Sequence, residues 1–176
     1  LKLNLEFIKG EYEGNRVNLV RETIQRKQPF ALFTFSNPKI YRQFLTDLSK
    51  FGSLPYVRQT FIPNAHMGGY PIIYPSIFVT NIGSQVPDSA FKQMMLGSLK
   101  QYHIDSIICL YAGQISSYYK NGDHYTIGTD IYTSLDPQEF DSYYFKVEST
   151  CYTFVKTLSP VPSKRRYGIR TTITRS

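Results

Sequence analysis

"FALFTFSNPKIYRQFLTDL", residues 30–48, sets the frame for reading the chain. Phe30 to Phe35 form an apolar, aromatic run of strand length, and Asn37-Pro38 then supplies the cap and first-turn proline of a helix. Ile40, Tyr41, Phe44, Leu45 and Leu48 recur at helical spacing, and Gly52 stands where a helix would stop. The segment reads as a strand feeding directly into an amphipathic helix.

Working outward, PYVRQTFI (55–62) predicts a second strand and IIYPSIFVTNI (72–82) a third, kinked or bulged at Pro75. Pro87-Asp88-Ser89 opens a second helix with Phe91, Met94, Met95 and Leu99 on one face, ending near Tyr102. DSIICLYA (105–112) predicts a fourth strand, apolar enough to be central. Residues 30–112 therefore run β, α, β, β, α, β. That order predicts an α+β, ferredoxin-like (split βαβ) core, with two helices on one face of an antiparallel sheet.

The flanks read as additions to that core. Residues 1–29 suit a strand, with Leu3, Leu5 and Phe7 alternating, and a short helix with Val17, Val20 and Ile24 on one face and Asn15 as cap. Residues 113–176 suit a β-rich extension: a hairpin, a long strand with Tyr143, Phe145, Val147, Cys151 and Val155 on one face, and a last strand over 168–174. A chain of 176 residues is long enough for one hydrophobic core, which predicts a single domain.

The hairpin is YYKNGDHYTIG, residues 118–128, in which Asn121-Gly122 predicts a two-residue type I′ turn. That register sets Lys120 opposite Asp123 and Tyr119 opposite His124, so charges pair and an imidazole lies on a tyrosine ring. Asp123-His124 could also be read as a catalytic pair. Such a pair needs a nucleophile or acid partner, and no motif supplies one.

Charge is laid out in blocks. The net charge is +7, and after Glu148 come six basic residues (Lys156, Lys164, Arg165, Arg166, Arg170, Arg175) with no acid. Residues 16–58 hold eight basic residues against Glu22 and Asp47, whereas 123–148 hold six acids against Lys146. Blocks of opposite sign suit contacts between copies or with other subunits, and a basic tail suits phosphate backbones. The two cysteines, Cys109 and Cys151, sit in apolar stretches without metal-type spacing and read as buried thiols. No apolar run reaches the roughly 18 residues of a membrane span, and no signal-type segment opens the chain, so the protein reads as soluble.

Each candidate for chemistry has a plain structural alternative. On an open ferredoxin-like sheet, Phe33, Phe35, Tyr74 and Phe78 would be placed to stack on bases, while strand aromatics also serve cores. HMGGY (66–70) matches no phosphate-loop pattern, and His66, His103 and His124 never approach metal-ligand spacing. Asp136, Glu139 and Asp141 read as a turn and helix start. The strongest local binding signal is SKRRYGIR (163–170), in which Lys164, Arg165, Arg166, Tyr167 and Arg170 suit attachment to nucleic acid or to an acidic protein surface.

These readings predict no catalytic residue, no cofactor and no metal. They predict a non-enzymatic structural or assembly subunit of a larger complex, for instance a viral or phage particle component, partnered by other protein subunits as a homo- or hetero-oligomer. The alternative is a nucleic-acid-binding module using an open sheet face and the basic C-terminal segment.

Overall fold

The computed structural model describes residues 15–50, 54–62, 73–134, 144–154 and 174–175. In chain order the elements are α1 (Arg16–Gln25), β1 (Phe30–Thr34), α2 (Pro38–Lys50), β2 (Tyr56–Ile62), β3 (Tyr74–Thr80), α3 (Asp88–Gln101) and β4 (Ser106–Tyr111). They continue as β5 (Gln114–Tyr119), β6 (His124–Gly128), β7 (Tyr132–Ser134), β8 (Tyr144–Val147), β9 (Thr150–Thr153) and the two-residue β10 (Thr174–Arg175).

Local chemistry accounts for the helices. Asn15 caps α1, its Oδ1 accepting from the Asn18 N–H at 2.9 Å. In α2, Pro38 takes the first position and the Asn37 side chain accepts from the Lys39 N–H at 2.9 Å. At the start of α3, Asn81 Nδ2 donates to Asp88 Oδ1 at 3.0 Å and to the Val86 carbonyl at 2.9 Å, tying the loop to the helix.

Every strand joins one antiparallel sheet in the order β10-β7-β9-β8-β2-β3-β1-β4-β5-β6. Nine of them make a curled half-barrel, and β10 adds a short margin. The expectation of a ferredoxin-like sandwich with an appended extension is therefore corrected. The strands after residue 112 do not sit apart: β5 pairs along the whole of β4, and β8 pairs with β2 through Thr60↔Lys146, Phe61↔Phe145 and Ile62↔Tyr144. A small sheet would leave two edges of unpaired backbone groups, and these strands satisfy both. A sheet this wide also cannot stay flat, because strand twist accumulates, so it curls.

The curl produces two cores rather than one. On one face, α2 and α3 bury Phe44, Leu48, Phe91, Met95 and Leu99 against Ala31, Phe33, Ile77, Val79 and Ile107. On the other, α1 and the outer strands bury Val20, Ile24, Phe145, Val147, Tyr152 and Phe154 against Phe30, Leu32, Val57, Phe78 and Leu110. Each fully buried aliphatic or aromatic side chain contributes about 1.5–3 kcal/mol of transfer free energy. A third helix therefore closes the face that two helices would have left open. A buried hydroxyl pair docks α1: Thr23 Oγ1 donates to the Leu19 carbonyl at 2.7 Å, so Thr80 donates to Thr23, 2.9 Å away.

Two finer expectations also change. Residues 143–155 do not form one long strand; β8 turns at Glu148, where φ is +54°, and returns as β9 with Val147 opposite Thr150. The turn resets the alternation, so Tyr152 and Phe154 join the core beside Phe145 and Val147. Pro75 neither bulges nor breaks its pairing, remaining in register with Thr60, and its carbonyl accepts from the Phe35 N–H at 3.1 Å. The expected strand at 3–7 lies outside the described residues.

Candidate functional site

Among the described residues the β5–β6 hairpin is the last pair of strands in the sheet, and its geometry starts from one glycine. Gly122 has φ +98°, and Asn121 is not among the positive-φ residues, so the turn is not type I′. Instead the Gly122 N–H donates to the Tyr119 carbonyl at 3.0 Å and the Tyr119 N–H donates to the Asp123 carbonyl at 2.9 Å. That is a three-residue loop with glycine in the left-handed position. Asn121 Oδ1 further accepts from the Asp123 N–H at 2.9 Å.

The longer loop shifts the register by one residue on β5. Tyr118, not Tyr119, lies opposite His124, and their rings stack with centroids 5.6 Å apart and planes at 19°. Lys120 does not pair with Asp123; its Nζ lies 3.9 Å from Asp105 Oδ1, and Asp105 also accepts from the backbone N–H (3.0 Å) and hydroxyl of Ser36. Because the Lys120–Asp105 pair is solvent-exposed, it orients the loop more than it stabilises it.

The hairpin presents two aromatic surfaces. On one, Lys92 of α3 lies over the Tyr111 ring at 4.7 Å and reaches the Tyr118 ring at 5.9 Å. Beside them, Gln93, Leu96, Lys100, Tyr118 and His124 help line an open groove of about 340 Å³ between α3 and the hairpin. On the other, Tyr119 and Tyr125 meet edge to face at 6.0 Å and are 40% and 58% exposed. His124, Tyr125 and Thr126 are all exposed along β6.

A second hollow of about 530 Å³ lies beside the start of α3, with Val86, Pro87, Ala90 and Met94 in its wall. Its hydroxyl, that of Ser84, is engaged, donating to Asn81 Oδ1 at 2.6 Å. Among the described residues no three His, Cys, Asp or Glu side chains cluster so as to hold a metal. Cys109 and Cys151 are both buried, and burial pushes the Cys109 thiol up to about 12. No described helix is long and apolar enough to cross a membrane.

The residues singled out for base stacking are not brought together on an open face. Phe33 and Phe35 are 0% and 1% exposed, packed on Phe44 of α2 at 4.8 and 5.5 Å. Phe78 is 0% exposed on the opposite side of the sheet, stacked on Phe30 at 4.8 Å. Register explains the split: Phe33 pairs with Ile77 and Phe78 with Leu32, so the two phenylalanines differ in alternation phase. Tyr74 is half-buried at the first residue of β3. Lys164, Arg165, Arg166, Tyr167 and Arg170 lie outside the described residues, as do His66, Asp136, Glu139 and Asp141. His103 is exposed in the turn after α3, with φ +54°.

Sequence reasoning passed over Lys92, Tyr111, Tyr118 and Tyr125. The signal available for Tyr118 and Tyr125 was their crowding around an Asn-Gly turn. No protein-family description, curated protein or solved structure matches this chain.

Proposed function

We propose that the chain is a non-enzymatic subunit of a larger protein assembly, engaging its neighbours through an open strand edge and the tyrosines beside it. The supporting observation is β6: five residues long, last in the sheet among the described residues, with His124, Tyr125 and Thr126 exposed. An edge strand carries a row of unpaired N–H and C=O groups that another chain can adopt as a template. Tyrosines beside such an edge suit it further, since each brings a large apolar ring and a polar tip to an interface.

A second reading is nucleic-acid binding through Lys164, Arg165, Arg166 and Arg170. It is favoured by the six cations that follow Glu148 without an acid between them. Salt separates the two. A protein held on phosphates by several cations loses about three orders of magnitude or more in affinity between 50 and 200 mM salt, whereas strand pairing and ring contacts do not.

The test is light scattering coupled to size exclusion on nucleic-acid-free protein, with and without a mixed oligonucleotide pool, at low and high salt. Association without oligonucleotide that persists at high salt is the expected result. A monomer that changes mass only with oligonucleotide at low salt would overturn the assembly reading in favour of the second.

A further inference from the structure

We propose that two copies of the chain pair their β6 strands antiparallel about a two-fold axis at Tyr125, making one continuous sheet across a dimer. This rests on the assembly reading and deepens it by naming the partner, the strand and the register.

The register follows from the hairpin. The Tyr119 N–H bonds to the Asp123 carbonyl, which makes that pair a hydrogen-bonded one. Antiparallel pairs alternate between bonded and non-bonded, so Tyr118↔His124 and Ser116↔Thr126 are non-bonded. The N–H and C=O groups of His124 and Thr126 therefore point away from β5, out of the sheet. With Tyr125 facing its own copy, His124 of each chain lies opposite Thr126 of the other, and the outward groups close four hydrogen bonds.

Several observations favour a second copy over an unrelated chain. The two-fold arrangement uses the same edge of both copies and closes on itself. Around the hairpin the charges of Lys92, Lys100 and Lys120 cancel those of Asp105, Asp123 and Asp130, against +7 for the chain, so two basic molecules meet where the local charge is balanced. The same register carries each copy's Lys120 turn alongside the end of the other's β6, which leads into Asp130 and so sets opposite charges together.

Side chains complete the match. The Tyr119–Tyr125 pairs of the two copies lie on one face and merge into a four-ring cluster across the axis. HYTIG carries no proline and no lysine, two of the usual means of blunting an edge. A shift in register beyond Thr126, where Gly128 pairs with Ile115, ends the regular ladder and keeps the contact short. The dimer is accordingly weak, dissociating at ~10–100 µM, as suits an interface at the small end of the size range.

The full chain is run by size exclusion with light scattering from about 5 to about 500 µM, bracketing that affinity. Thr126→Pro and Tyr125→Lys are run alongside, with an oligonucleotide arm at low and high salt. Thr126→Pro removes the outward N–H and leaves the bonded pairs with β5 in place. Tyr125→Lys acts on a 58% exposed ring and so keeps the fold if proline does not. The expected result is a wild-type mass that rises toward a dimer with concentration, and at least a tenfold weaker association in each folded variant. A dimer undiminished by the substitutions overturns this site and leaves the assembly reading standing. A protein monomeric at every concentration overturns the proposal, and overturns the assembly reading as well if its mass shifts only with oligonucleotide at low salt.

Discussion

Tyr118 and His124 stack across β5 and β6 with ring centroids 5.6 Å apart and planes at 19°. Non-bonded antiparallel pairs bring side chains closest, so this ring pair is placed to couple. A double-mutant cycle of Tyr118→Ala and His124→Ala, measured by urea unfolding, is expected to give a coupling of about 0.5–1 kcal/mol. A coupling within error of zero would show that the rings are neighbours without interacting.

Gly122 sits at φ +98°, and nothing lies within 4 Å of the position a Cβ would take. Its substitution therefore costs backbone strain alone. Gly122→Ala is expected to destabilise the protein by about 1 kcal/mol, whereas Asn121→Gly, at a position without positive φ, should gain nothing. If Asn121→Gly proved stabilising, the turn would be of the two-residue kind after all.

Phe33 and Phe78 belong to separate cores. Each substitution to alanine should cost about 3–5 kcal/mol in chemical denaturation, because both rings are fully buried and leave cavities. A cost below about 1 kcal/mol at either site, of the kind seen for exposed positions, would place that ring on an open surface.

Thr80 links α1 to the sheet through Thr23 and also accepts from the Ile82 N–H at 3.0 Å. Thr80→Val keeps the shape and removes both interactions, leaving the Ile82 N–H without its acceptor. A loss of about 1–2 kcal/mol is expected, and a similar one for Thr23→Val, which removes the bond from Thr80 and the bond to the Leu19 carbonyl. A loss within error of zero at either position would mean that its hydroxyl contributes nothing net to docking α1.

The buried Cys109 thiol titrates at about 12 against an ordinary value of 9.0, burial being the main cause and nearby Lys92 a smaller opposing one. Below pH 9 the thiol is neutral in both folded and unfolded chains, and the favourable difference is fully present. Between about 9 and about 12 the unfolded chain releases the proton and the folded one does not, so stability falls as pH rises. Tyr102, raised by burial and by its 2.6 Å hydrogen bond to Asp47, acts in the same direction. Urea midpoints should drop steadily from pH 9 upward, and Cys109→Ser or Cys109→Ala should flatten part of that slope. A midpoint independent of pH over that range would contradict the burial of both groups.

What was legible in the sequence was local. Helical spacing in Ile40–Leu48 and in Phe91–Leu99 located α2 and α3, Asn15 marked the start of α1, and Asn-Gly marked the hairpin, because each pattern depends on residues within a turn or two of one another. The aromatic strands at 30–36 and 72–82 were visible for the same reason, but which face each ring took was not. Alternation assigns faces within a strand, and only the partner strand says that Phe33 and Phe78 look in opposite directions.

The site was legible only in outline: tyrosines around a turn, without the knowledge that this hairpin ends the sheet among the described residues. A single loop residue moved His124 from Tyr119 to Tyr118, since a two-residue and a three-residue loop share the same Asn-Gly signal. The joining of β8 to β2, the break at Glu148 and the closing of the second face by α1 were decided by tertiary structure. Local pattern reports how deeply each residue wishes to be buried; which strand it is buried against depends on the backbone groups left unpaired once all the others have found partners.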